Sequence, residues 1–132
     1  MICVRVEGDE LVVRIPIGKG FMEFTLCKYP DIPSEVSAKV VTVGCWDTVR
    51  YGVVCEYKVV IPCDEYYGVS QYPHEYRAFR QGKKWFVLHY KRYNDPESFG
   101  ELGVRPVNSK EEAIKYLVSK VVEPPMHVVF ET

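Results

Sequence analysis

Hydrophobic and polar positions alternate with a period of two along much of this chain, the pattern of strands with one face buried. Trp85-Phe86-Val87-Leu88-His89-Tyr90 departs from it. Six large uncharged residues in succession predict a strand in the middle of a sheet, covered on both faces. Glu75 to Arg80 precedes it and Gly82 offers a turn, so the two runs predict a hairpin. A second hairpin is expected from Ile2–Glu7 and Leu11–Ile17 around Gly8-Asp9-Glu10. Pro16 places its second strand at an edge or near its own end. Gly18-Lys19-Gly20 reads as a turn before a strand over Phe21–Cys27. Lys39–Trp46 and Val53–Ile61 are the longest β-branched runs, joined by a turn within Thr48–Gly52. Met126–Phe130 predicts a last strand.

One stretch changes period. In Ser109-Lys110-Glu111-Glu112 the serine can cap the Glu112 amide, and the Glu112 carboxylate can return a bond to the Ser109 amide. Ala113, Ile114, Leu117, Val118 and Val121 then recur at helical spacing, with Glu111 and Lys115 on the wet side. Pro124-Pro125 ends the helix. Three connections remain: Lys28–Ser34 with two prolines, Pro62–His74 with Tyr66, Tyr67 and Tyr72, and Asn94–Val107. The expected fold is α+β in a single domain spanning residues 1–132. It has a mostly antiparallel, hairpin-rich β-sheet of about six to eight strands, with one C-terminal α-helix packed on a face.

Strand register predicts a cysteine pair. Directly opposed residues point to the same side of a sheet, so burying both apolar sides requires odd positions to face odd ones. A turn centred on Arg50 meets that condition. It sets Cys45 opposite Cys55, Val43 opposite Tyr57 and Val41 opposite Val59. A two-residue turn at Asp47-Thr48 would place Arg50 beside Cys45 on the apolar side. Cys45 and Cys55 are therefore a disulfide candidate.

The 132 residues are nearly half hydrophobic and about a quarter charged, with a net charge of −1. That is ordinary globular composition, excluding extended disorder and any overall attraction to nucleic acid. No apolar run approaches the roughly 20 residues of a membrane helix. The N-terminus alternates like a strand rather than a signal peptide, so an intracellular protein is expected, with no membrane partner. Few amides (Gln71, Gln81, Asn94, Asn108) and many charges match the composition of hyperthermophile proteins, and an archaeal or archaeal-virus source would fit.

Charge is local. Between His74 and Tyr93 six basic side chains, Arg77, Arg80, Lys83, Lys84, Lys91 and Arg92, face Glu75 alone. Cations interleaved with aromatics can neutralise phosphates and stack on bases, which makes residues 75–93 the candidate nucleic-acid surface. The Pro62–His74 segment is long for a connection and rich in Tyr, Ser and Gly, the mixture of rigid amphipathic area with adaptable polar groups used at contact surfaces. Tyr66, Tyr67 and Tyr72 are its candidate partner-binding residues.

The five cysteines include no CxxC pair, so no metal site is expected. No GxSxG, phosphate-cradling glycine loop or HExxH occurs, and no catalytic residue or cofactor is expected. Cys63 with His74 or His89 would be the nucleophile and base of an enzyme only if the fold joined them. The leading expectation is a non-enzymatic domain that binds another protein chain or its own copy. Nucleic-acid binding comes second and a cysteine enzyme third.

Overall fold

The computed structural model describes residues 3–7, 10–14, 18–92, 100–120 and 127–131. Among them, in chain order, are β1 (Cys3–Glu7), β2 (Glu10–Arg14), β3 (Gly18–Leu26), β4 (Lys39–Thr48), β5 (Gly52–Gln71), β6 (His74–Gln81), β7 (Lys84–Lys91), β8 (Glu101–Val107), α1 (Lys110–Ser119) and β9 (His127–Glu131). A six-stranded antiparallel sheet runs β3-β5-β6-β7-β8, with β4 also paired to β5, and does not close into a barrel. The β1–β2 hairpin forms a separate three-stranded sheet with β9. There β9 runs parallel to β2, a pairing that alternation alone does not reveal. Pro16, Val121 and Pro124-Pro125 lie outside the described residues.

β5 organises the large sheet. Its 20 residues pair with β4 over Gly52–Val60, with β3 over Tyr57–Tyr66 and with β6 over Glu65–Gln71. The expected Pro62–His74 connection is therefore corrected: it is the second half of a strand. Pro62 sits in the ladder opposite Phe21. Gly68, read as a loop residue, leaves room for a neighbour, since a Cβ there would lie 2.7 Å from the Arg77 side chain. Only Tyr72-Pro73, joined by a cis peptide bond, is left as the turn. Gly18-Lys19-Gly20 likewise belongs to a strand, where β3 changes register against β5. Part of the expected Asn94–Val107 connection is strand β8.

β7 is covered on both faces, as its unbroken apolar run demands. On one face Trp85 and Val87, with Tyr67 and Ala78, pack against Ala113, Ile114, Leu117 and Val118 of α1. On the other, Phe86, Leu88 and Tyr90, with Phe79, meet Met22, Phe24, Leu26, Val59, Ile61 and Val36. The sheet thus folds back over itself on the side away from the helix. Tyr90 donates from its hydroxyl to the Thr25 carbonyl (2.9 Å) and meets Phe24 edge-on. Gln81 ties the same layers together, donating to the Ser37 and Pro62 carbonyls and accepting from the Ser37 amide.

The helix begins as its cap predicts, with Ser109 Oγ accepting from the Glu112 amide (3.1 Å). The return bond is displaced by one residue: Glu112 accepts from the Asn108 amide, not from that of Ser109. Lys110 reaches across to Glu65 (3.1 Å) and lies over the Tyr67 and Trp85 rings. No described helix is long and apolar enough to cross a membrane.

Candidate functional site

The β4–β5 hairpin carries the unusual surface. β4 runs for ten residues without one buried position, although six of them are Val, Trp, Cys or Gly. Val41, Val43, Val49, Tyr51 and Val53 of this hairpin are exposed large hydrophobics, with Val43 at 59%, Val53 at 69% and Val49 at 96%. Exposed apolar side chains are ordinary singly, and several on one element are less so. The turn beneath them is fixed. Thr48 Oγ1 donates to the Gly52 carbonyl (2.8 Å) and accepts from the Tyr51 amide (2.9 Å), with Gly52 at φ 73°.

Cys45 faces Cys55 directly, at a Cα separation of 4.0 Å with the two sulfurs at bonding distance, and Thr48 faces Gly52 across the expected turn. The register beyond is corrected. A bulge between Thr42 and Gly44 makes Val43 the extra residue, so Thr42 faces Tyr57 and Val40 faces Val59. One inserted residue exchanges the two sides of a strand. Val40 is consequently turned to the core cluster and Val41 and Val43 to the surface, opposite to the burial that strict alternation predicts.

The three tyrosines proposed as a contact loop do not share a surface. Tyr67 is fully buried under α1, stacked on Trp85, with its hydroxyl donating to Glu65 (2.8 Å). Tyr66 is half-buried against the opposite cluster. Tyr72 alone is exposed (64%), at the turn.

Several of the six basic residues have acidic partners. Arg92 donates to Glu75 (2.8 Å), and Arg77 lies 3.9 Å from the same carboxylate. Glu75 itself is buried. Arg80 spans Asp64, Glu65 and the Gly82 carbonyl. Lys83 and Lys84 are exposed at the turn, and Lys91 is half-buried. Trp85 and Tyr90 are core residues, so the aromatics within this hairpin's second strand are taken up by packing.

Cys63 lies in the core cluster away from the helix, its Sγ donating to the Ile61 carbonyl (3.3 Å). Burial first, and Asp64 next, push its thiol up to about 12, the reverse of an activated nucleophile. The fold brings together the histidines instead. His74 Nδ1 and His89 Nε2 stand 2.7 Å apart, with Tyr76 stacked beside both rings and Lys120 over Tyr76 and Tyr116. The two facing nitrogens share one N–H···N bond, so their lone pairs do not converge on a common ligand. Among the described residues no group of three or more His, Cys, Asp or Glu is placed to hold a metal ion. This pairing was legible in principle: a two-residue turn at Gly82-Lys83 sets Tyr76 opposite His89, one diagonal step from His74. Comparison with family models, curated proteins and solved structures gives no match to this chain.

Proposed function

We propose that this chain is a protein-binding or assembly domain without catalytic activity, and that its contact surface is the β4–β5 hairpin. The observation that carries the reading is the concentration of exposed Val41, Val43, Val49, Tyr51 and Val53 on one disulfide-stapled element. The staple and the Thr48 turn hold the hairpin in one shape, so little chain entropy remains to be lost on binding. β4 is also bonded on one edge only among the described strands. Its other edge offers unpaired amides and carbonyls to an added strand. The tyrosines first expected to form the surface contribute Tyr72 at most.

A photo-crosslinking residue at Val49 or Val53, compared with one at Lys84 or Glu111, tests the reading in the cells that make the protein. Protein adducts concentrated at the two hairpin positions are expected. Adducts at equal yield at all four positions, or none, overturn it.

A further inference from the structure

Away from the hairpin, the helix-covered face of the large sheet carries a cleft. Trp85 and Val87 of β7 pack against α1, and alternation brings His89 and Lys91 to the same face. Across from them on β8, Arg105 faces Val87, Gly103 faces His89 and Glu101 faces Lys91. Val87, His89, Gly103, Arg105 and the Tyr116 ring of α1 line a cleft of about 250 Å³. The space above Gly103 is empty. A Cβ there would meet no neighbouring atom within 4 Å, so any side chain at this position would extend into the cleft.

Two cations from different elements stand over its Tyr116 wall. Arg105 lies 5.3 Å from the ring centre and Lys120 lies 5.2 Å from it, and Lys120 also covers Tyr76. Both are exposed, and neither makes an ion pair among the described residues. A contact with a ring face contributes about 0.5–1 kcal/mol at an exposed site and leaves the charge in place. Glu101 offsets Lys91 across the β7–β8 pair. With the histidines neutral, Arg105 and Lys120 are an excess of two positive charges at one cleft.

We propose that this cleft binds a phosphate group, either the free ion or the end of a small monoester, held between Arg105 and Lys120. Two cations against one ring repel each other, and an anion between them replaces that repulsion with two attractions. A phosphate group carries about −1.5 to −2 at pH 7 and matches both charges, whereas a carboxylate matches one. Arg105 can grip two of its oxygens at once, and Lys120 supplies a point charge. Size agrees: the cleft is smaller than the roughly 300 Å³ at which pockets for drug-sized ligands begin. It suits a small anion, with the rest of a larger ester left outside.

The test is an NMR titration of the full chain with inorganic phosphate, phenyl phosphate and acetate, at pH 7.5 and constant ionic strength. Inorganic or phenyl phosphate should shift the His89 ring and the Gly103 and Arg105 amides, saturating with a dissociation constant of about 1 mM or less. Tighter binding of phenyl phosphate identifies an ester as the ligand. Equal or tighter binding of inorganic phosphate identifies the free ion. Arg105→Gln and Lys120→Gln, checked for folding by circular dichroism, should each weaken binding by about fivefold or more. Gly103→Val keeps both cations but fills the cleft, and should abolish binding. Lys83→Gln, at the far turn of β7, should leave it unchanged. Shifts that fail to saturate by about 10 mM of either phosphate overturn the proposal. So does acetate bound as tightly as phosphate, or undiminished binding in folded Gly103→Val or in both charge variants.

Discussion

His74 and His89 share a single hydrogen bond across the β6–β7 hairpin, Nδ1 to Nε2 at 2.7 Å. One of the facing nitrogens must therefore stay unprotonated. Burial, then His74 and Lys120, hold His89 below its ordinary proton affinity, with Lys91 adding to this and Glu101 on β8 opposing it. A histidine with a lowered folded-state value takes up protons more readily when unfolded. Its contribution to stability is present above about pH 6.5 and is lost as the pH falls from there toward the lowered value. The urea midpoint should accordingly fall between pH 8 and pH 5, and His89→Gln should reduce that difference. An equal pH dependence in the two proteins would place the acid sensitivity elsewhere.

Leu117 is fully buried between α1 and the sheet, while Lys115 points to solvent and lies 3.7 Å from Glu111. Leu117→Ala should destabilise the chain by about 2–5 kcal/mol, as deletion of a core side chain does. Lys115→Ala should remain within about 0.5 kcal/mol. Denaturant titration of the two variants separates these values, and similar losses would contradict the packing of the helix.

Closing the loop between Cys45 and Cys55, ten residues apart in sequence, restricts the unfolded chain. Replacing both with serine should lower stability by about 2–3 kcal/mol through restored chain entropy. Non-reducing peptide mapping should find the 45–55 link in the native protein. A link joining Cys27 or Cys63 instead would contradict the strand register.

Cys27 has a half-exposed thiol, whereas the Cys63 thiol is buried, with its proton held to about pH 12. At pH 8 Cys63 is therefore held as the unreactive thiol. Iodoacetamide should modify Cys27 before Cys63, by mass spectrometry, and reach Cys63 only in denaturant. Rapid modification of Cys63 in the folded chain would remove it from the core.

What could be read from residues alone follows from how local each signal is. The two-sided burial of β7 lies in six consecutive residues, and the helix start lies in Ser109 and Glu112. The Cys45–Cys55 pairing needed only a short turn and a parity argument. Pro62 and Gly68 misled because their usual meaning is punctuation. Here Pro62 takes a ladder position, and Gly68 makes room for Arg77 from the neighbouring strand. The three tyrosines expected on one surface are divided for a similar reason, since a strand sends successive side chains to opposite faces. A bulge at Val43 leaves no mark in composition, yet it decides which valines of β4 face water. The parallel pairing of β9 with β2 joins segments more than a hundred residues apart, beyond the reach of any local pattern.

The length of β5 has a mechanical consequence. The exposed hairpin and the helix-covered layer hang on one unbroken backbone, so the direction in which the hairpin projects is set where β5 passes from β4 to β6. That passage is fastened from the β6–β7 turn: Gln81 donates to the Pro62 carbonyl, the Gly82 amide donates to Asp64 (2.8 Å), and Arg80 reaches Asp64 and Glu65. The cations that first suggested a surface for phosphates thus include a brace for a lever. Loosening it would redirect the hairpin without touching any of its exposed side chains.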